Sequence, residues 1–179
     1  PLEWRVETKA AYAQMTATAL HDALRLTRVP HAVLGYSTSG LYNTPRLDNT
    51  ALEVYSRWSS GVSTYEFVEA PGLGDPGLGL TYISGQGANC DGESIEKAAR
   101  YAAEKGAGAD RVVMLVVADG MPAGADCGRD LERQYLKDQV EKVARSGIEV
   151  YGIGVGIYRQ DAFRGFYPDQ PSSAGRAAT

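Results

Sequence analysis

The chain has 179 residues, of which 44% are hydrophobic and 22% charged, a composition typical of one globular domain with a substantial core. The net charge of -4 gives no long-range attraction to nucleic acid or to an anionic membrane, and no apolar run is long enough to span a bilayer. Two cysteines are too few for a disulfide scaffold, so we expect a cytoplasmic protein.

The N-terminal half is predicted to contain one long helix and several shorter elements. Apolar residues recur at intervals of three and four over residues 6–28, and this helix ends before Pro30, because a residue that precedes proline is pushed out of the helical region. The elements expected after it are a strand at 31–36, a short helix at 52–58, a strand at 64–68 and a glycine- and proline-rich loop at 71–79.

The C-terminal half alternates between helices and strands. The expected elements are helices at 93–105 and 130–146, strands at 112–118 and 148–156, and a short final helix at 161–167. The strand at 112–118 is apolar on both faces, which is typical of a central parallel strand covered by helices on both sides. The sequence therefore predicts a single three-layer α/β domain over 1–168, with a mostly parallel central sheet, and a flexible tail over 169–179.

Oxygen-bearing side chains follow several of the predicted strands and helix-leading loops. In open α/β sheets, ligands bind beyond the carboxyl ends of the strands. The residues expected at that edge are Ser37, Thr38, Ser39, Asn89, Asp91 and Asp119. This set contains hard oxygen ligands and no histidine, so it favours Mg²⁺ or Mn²⁺ over zinc.

Each of these residues also has a purely structural interpretation. Asp119 before a glycine is typical of a turn or a helix cap, Asp91 is placed to cap the helix that follows it, and Ser37–Ser39 fits a polar turn. Cys90 and Cys127 fall in loops on the same edge, so they either approach each other or remain separate thiols.

Common catalytic patterns are absent from the sequence. There is no G-x-S-x-G and no Walker A motif, and neither His21 in a helix nor His31 at a strand start is placed like the base of a nucleophile. The glycines at 152, 154 and 156 follow no dinucleotide-binding pattern. A phosphate-using enzyme with Asp119 as its catalytic group lacks an accompanying base or nucleophile, which makes it the weakest interpretation.

Segments in a fixed order resemble the von Willebrand factor A domain of cobaltochelatase CobT-type proteins. They are N-C-D-G-E-S-I at 89–95, V-V-A-D-G-M-P at 116–122, Y-G-I-G-V-G at 151–156 and F-R-G-F-Y-P at 163–168. The similarity covers most of residues 6–168. It implies a Rossmann-like sheet with a metal-ion-dependent adhesion site at one edge.

The resemblance also implies which residues would hold the metal. Asp119 matches the aspartate after the central strand of the family, and Asn89 with Asp91 matches its second ligand loop. The D-x-S-x-S motif that supplies the remaining ligands in the family does not occur in these 179 residues. We therefore expect that motif to lie before Pro1 or to have been lost, and Mg²⁺ or Mn²⁺ to bind weakly or not at all without it.

The resemblance implies a function in recognition. A CobT-like domain would act as a metal-dependent protein-interaction module with an AAA+ ATPase or another chelatase subunit, in a complex that inserts cobalt into a corrin ring. The chain would be a subunit that does not hydrolyse ATP. The alternative is a stand-alone or virus-encoded interaction or structural domain with no chelatase role, in which self-association into a homo-oligomer is a further option.

Overall fold

The computed structural model describes residues 9–37, 51–56, 61–85, 89–119, 129–155 and 165–167, and these residues form an α/β protein. The elements in chain order are α1 (Lys9–Leu26), β1 (Val33–Ser37), β2 (Ala51–Ser56), β3 (Gly61–Val68), a 3-10 helix (Leu78–Tyr82), α2 (Asp91–Lys105), β4 (Val112–Ala118), α3 (Arg129–Arg145) and β5 (Ile148–Gly154). Within this described part, no helix has both the length and the apolar character needed to cross a membrane.

Most predicted elements are confirmed, and one is wrong. Residues 52–58 were expected to form a short helix, whereas residues 51–56 form β2, which pairs antiparallel with β3. A short run with mixed apolar spacing suits either structure, and the pairing with β3 decides in favour of a strand. Apart from the turn at 165–167, the helix expected at 161–167 and the tail at 169–179 lie outside the described residues.

The strands form two ladders of different type. β1, β3 and β2 make an antiparallel sheet in that spatial order, and β4 pairs with β5 in parallel from Val112↔Ile148 to Ala118↔Gly154. Because β4 and β5 run in parallel, their carboxyl ends meet at one edge, directly before Asp119. A mostly parallel central sheet stays a prediction, since the described strands contain one parallel ladder.

The apolar core lies between the helices α2 and α3 and the strands β4 and β5. Its buried members, which we call the apolar core, are Ile95, Val116, Ala118, Leu136, Val140, Val143, Ile148, Val150, Phe166 and Tyr167. The other face of β4 is more open than the sequence predicted, because Val113 and Leu115 are 47% and 40% exposed. The expectation that helices bury both faces of this strand is therefore wrong in the part of the chain that is described.

Candidate functional site

The Asp91 carboxylate is held by two neutral donors at the start of α2. Its side chain is 1% exposed, the Tyr36 hydroxyl donates to Oδ1 at 2.8 Å, and the Asn89 amide Nδ2 donates to the same oxygen at 2.7 Å. Tyr36 comes from β1, so this contact ties the antiparallel sheet to α2 across 55 positions of sequence. Asp91 is the first residue of the helix, while Cys90 is the N-cap and makes no side-chain cap hydrogen bond. The carboxylate thus serves a side-chain network as well as the helix terminus.

Burial makes the Asp91 carboxylate unusually easy to protonate. Loss of solvent raises its pKa from 3.8 to about 6, although the hydrogen bonds from Tyr36 and Asn89 lower it. The negative charges of Asp119 and Glu132 raise the pKa further. A negative charge on Asp91 is therefore costly in the protein alone and would be stabilised by a nearby cation.

Asp119 follows β4 and lies in the same electrostatic environment. Its Oδ2 accepts a hydrogen bond from the Lys9 ammonium at 2.8 Å, in an ion pair that joins the first residue of α1 to the carboxyl end of β4. The Asp119 side chain is 26% exposed, so it is far more accessible than Asp91. Its charge contributes to the raised pKa of both Asp91 and Tyr36. The structure thus brings together Asp119 and Asp91, as the sequence predicted.

Further polar residues that sequence reasoning missed surround these aspartates. With the predicted residues they form what we call the polar cluster: Tyr36, Asn89, Asp91, Asp119, Glu132 and Tyr167. Burial, followed by the charge of Asp91, raises the pKa of both tyrosines well above its usual value. Glu132 in α3 is fully buried. No local motif marks these side chains, and only the tertiary fold brings them to the aspartates.

Gly92 explains part of the N-C-D-G-E-S-I motif by packing. A Cβ atom at this position would lie 2.5 Å from Cδ1 of Tyr135 and 3.1 Å from the backbone nitrogen of Leu136. The absence of a side chain therefore lets the first turn of α2 approach α3 closely. This approach places Glu132 of α3 near enough to Asp91 to raise its pKa.

The other residues predicted at this edge have mixed outcomes. Ser37 is buried at the end of β1, whereas Thr38 and Ser39 lie outside the described residues. Cys90 is buried and forms no disulfide within the described part of the chain. Cys127 lies outside that part, so a pairing of the two cysteines stays a prediction.

The donors at the polar cluster suit a hard cation but are few. Two carboxylates and one amide supply the oxygen ligands that Mg²⁺ and Mn²⁺ prefer, whereas Mg²⁺ requires near-octahedral coordination. Among the residues that the structure describes, no group of three or more histidine, cysteine, aspartate or glutamate side chains is arranged to hold a metal ion. A cation bound here would therefore depend on water or on ligands from elsewhere.

Comparison with known proteins identifies a family. A family model described as the cobalamin biosynthesis protein CobT VWA domain matches residues 6–171. No curated protein and no solved structure gives a match. The matched range contains the whole polar cluster and the apolar core.

Proposed function

Because this chain belongs to the family of CobT VWA domains, whose description concerns cobalamin biosynthesis, we propose that it is a protein-interaction module of a cobaltochelatase complex. In this proposal the polar cluster binds Mg²⁺ or Mn²⁺ and uses the cation to dock a partner subunit. The observation that carries the proposal is the buried carboxylate of Asp91, whose pKa is raised to about 6 beside a second carboxylate, Asp119.

The electrostatics of the two aspartates support a cation. Asp91 loses most of its hydration and receives hydrogen bonds from neutral groups alone, so its charge is only partly compensated. Asp119 is neutralised by the ammonium of Lys9, which approaches from the partly exposed side of the cluster. A divalent cation would compensate both carboxylates at once, and Lys9 would compete with it for Asp119.

The small number of ligands supports a role in docking. Asp91, Asp119 and Asn89 would leave several positions around Mg²⁺ to water or to other oxygen donors. Part of these positions would be filled by the D-x-S-x-S motif if the protein carries it before Pro1. A carboxylate of a partner protein is suited to the last open position, which is recognition and breaks no bond.

The partner that fits this proposal is the AAA+ ATPase subunit of the chelatase. The chain itself contains no Walker A motif, so ATP hydrolysis would belong to that subunit. Cobalt would be the substrate of the assembled complex, and the cation at the polar cluster would be a separate, resident ion.

The cation can be tested with two substitutions of opposite expected sign. A ligand present at about 100 times its Kd stabilises a protein by about 2.7 kcal/mol, which a thermal melt detects. We expect MgCl₂ or MnCl₂ to raise the Tm of the wild type, and Asp119→Asn to reduce this rise. Lys9→Met should increase it, because the competing ammonium is gone. Equal shifts in all three proteins, or equal shifts with NaCl of the same ionic strength, would contradict the cation site.

Docking is tested separately with the AAA+ subunit. We expect the purified ATPase to bind the wild-type protein in Mg²⁺, and binding to fall in EDTA or with Asp119→Asn. Binding that is unchanged under both conditions would refute metal-dependent docking. A protein that binds the cation but not the ATPase would instead favour an interaction domain without a chelatase role.

A further inference from the structure

Two histidines meet far from the polar cluster, where the C-terminal part of α1 packs on the loop after β3. The ring atoms Nδ1 of His21 and Nε2 of His31 lie 2.8 Å apart, and the ring centroids are 5.0 Å apart with the rings near an edge-to-face arrangement. His21 is 1% exposed. These two residues are the only histidines of the chain, so the contact involves both.

The outer nitrogen of each ring contacts a backbone carbonyl. Nε2 of His21 lies 3.1 Å from the carbonyl oxygen of Asp75, and Nδ1 of His31 lies 2.8 Å from that of Val29. A carbonyl oxygen can only accept a hydrogen bond, so both outer nitrogens must carry a proton. In two neutral rings the inner nitrogens would then both be acceptors, with lone pairs facing each other at hydrogen-bond distance.

We propose that His21 and His31 share one additional proton and form a pH-sensitive latch that fastens α1 to the start of β1 and to the loop at 72–77. Three protons on four ring nitrogens satisfy both carbonyls and the contact between the rings. A fourth proton would set two N–H groups against each other, and loss of the third would set two lone pairs against each other. The latch is therefore strongest when the pair carries a single positive charge.

The loop is shaped to enclose the two rings. Gly72 and Gly77 have φ angles of +67° and +76°, which side-chain-bearing residues rarely adopt. A Cβ atom on Gly72 would lie 3.0 Å from Nε2 of His31, and one on Gly77 would lie 3.0 Å from Cδ2 of His21. Both glycines thus permit the backbone to approach the rings closely.

The surrounding charges are consistent with a single positive charge on the pair. The charged or titratable groups on the adjoining elements are Asp22, Arg25 and Arg28 of α1 and its turn, Glu69 and Asp75 of the loop, and Tyr82 of the 3-10 helix. Asp22 and Arg25 pair with each other at 3.7 Å. The Asp75 carboxylate accepts a hydrogen bond from the backbone nitrogen of Gly77 at 2.7 Å, so it lies on the loop segment that touches His21.

A metal ion between the rings is the competing way to satisfy two facing lone pairs. Structural zinc sites use four ligands, and no cluster of three or more histidine, cysteine, aspartate or glutamate side chains is found among the described residues. A proton needs no further ligand, and it fits the 2.8 Å separation, which is that of a hydrogen bond.

The latch predicts a bell-shaped pH dependence of stability. Two unfolded histidines with a pKa of about 6.5 carry one proton between them near that pH. Below it the unfolded chain binds more protons than the latch, and above it fewer, so stability falls on both sides. The pair then changes the unfolding equilibrium constant by up to about tenfold per pH unit on either limb.

His31→Gln is the variant that tests this, because its amide can donate to His21 without a titrating proton. We expect the urea stability of the wild type minus that of His31→Gln to peak near neutral pH and to decline in acid and in base. A flat or monotonic difference would overturn the latch. If His31→Gln does not fold, ring-nitrogen NMR of the wild type decides, with three N–H groups expected near neutral pH and two neutral rings contradicting the proposal. Zn²⁺ binding that removes these N–H signals would also overturn it.

Discussion

Two regions that meet along α2 are built on opposite principles. The apolar core receives Ile95 from the middle of the helix, together with Ala99 and Ala102, which pack against it. One turn earlier, Asp91 and Glu93 are as deeply buried, but among carboxylates and tyrosines. Burial stabilises the first region and costs free energy in the second, because charged groups lose their hydration there.

This contrast indicates where stability and binding are divided. A fold gains nothing from a buried carboxylate that is easily protonated, so the polar cluster is explained by a ligand better than by folding. Substitutions in the two regions should therefore change stability in opposite directions.

The largest loss is expected in the apolar core. Leu136 of α3 is 1% exposed, and Leu136→Ala removes its side chain from a closely packed interior. We expect the free energy of unfolding to fall by about 2–5 kcal/mol. Urea denaturation measures this, with Lys137→Ala on the exposed side of α3 as a control that should change stability by less than about 0.5 kcal/mol. A loss at Leu136 no larger than that of the control would break the contrast.

The opposite sign is expected for Asp91→Asn. The folded-state pKa of Asp91 is raised from 3.8 to about 6, so the stability linked to its protonation is present below about pH 4 and is lost as the pH rises through about 6. The amide oxygen of asparagine can accept the same two hydrogen bonds without a charge. At pH 7 we expect the variant to be more stable than the wild type by up to about 3 kcal/mol.

The measurement is urea unfolding of both proteins between pH 4 and pH 7. The wild type should lose stability relative to Asp91→Asn across this interval, and added Mg²⁺ should reduce the loss in the wild type alone. A variant that is less stable at pH 7 would show that the charge of Asp91 stabilises the fold, and the contrast between the two regions would fail.

A smaller effect is expected at Gly92, where the two regions meet. Gly92→Ala should favour the helix by about 1 kcal/mol at most. The new Cβ would nevertheless meet the Tyr135 ring at 2.5 Å, so we expect a net loss of about 1–3 kcal/mol. Gly74→Ala, whose Cβ would meet nothing within 4 Å, is the matched control. A stabilised Gly92→Ala would show that α2 and α3 can separate at no cost.

The smallest effect is expected on the surface of the same helix pair. Lys142 Nζ lies 3.3 Å from Oε1 of Glu96, and both side chains are well exposed. Burial raises the pKa of Glu96, but the hydrogen bonds from Lys142 and Tyr135 lower it more, so its contribution is present at neutral pH and is lost in acid. We expect Lys142→Ala to cost about 0.2–1 kcal/mol at neutral pH, and less in high salt. Urea unfolding at two salt concentrations checks this, and a loss comparable to that of Leu136→Ala would contradict it.

The sequence predicts the periodic elements and the approach of the aspartates for physical reasons that are local. The strand at 112–118 is bounded as predicted, and the rule that ligands bind at strand ends brings Asp119 near Asp91. The short run at 52–58 was assigned wrongly because a strand can be recognised there only from its partner, β3.

The contacts that complete the sites are not local, which is why the sequence does not reveal them. Tyr36 reaches Asp91 across 55 positions, and Lys9 reaches Asp119 across 110. His21 and His31 are close in sequence, but their contact depends on how the chain turns after α1 and on the loop around Asp75. Neither kind of contact leaves a pattern of spacing that can be read beforehand.

The most direct test of the central claim is to locate the bound cation with Mn²⁺. Paramagnetic Mn²⁺, added below stoichiometry to ¹⁵N-labelled protein, broadens the amide signals of nearby residues. The account predicts that Asn89, Asp91 and Asp119 lose intensity first, while the C-terminal end of α3 and the His21–His31 contact are unaffected, and that Mg²⁺ reverses the broadening. Broadening that is absent, uniform, or centred on other acidic residues would contradict a cation site at the polar cluster.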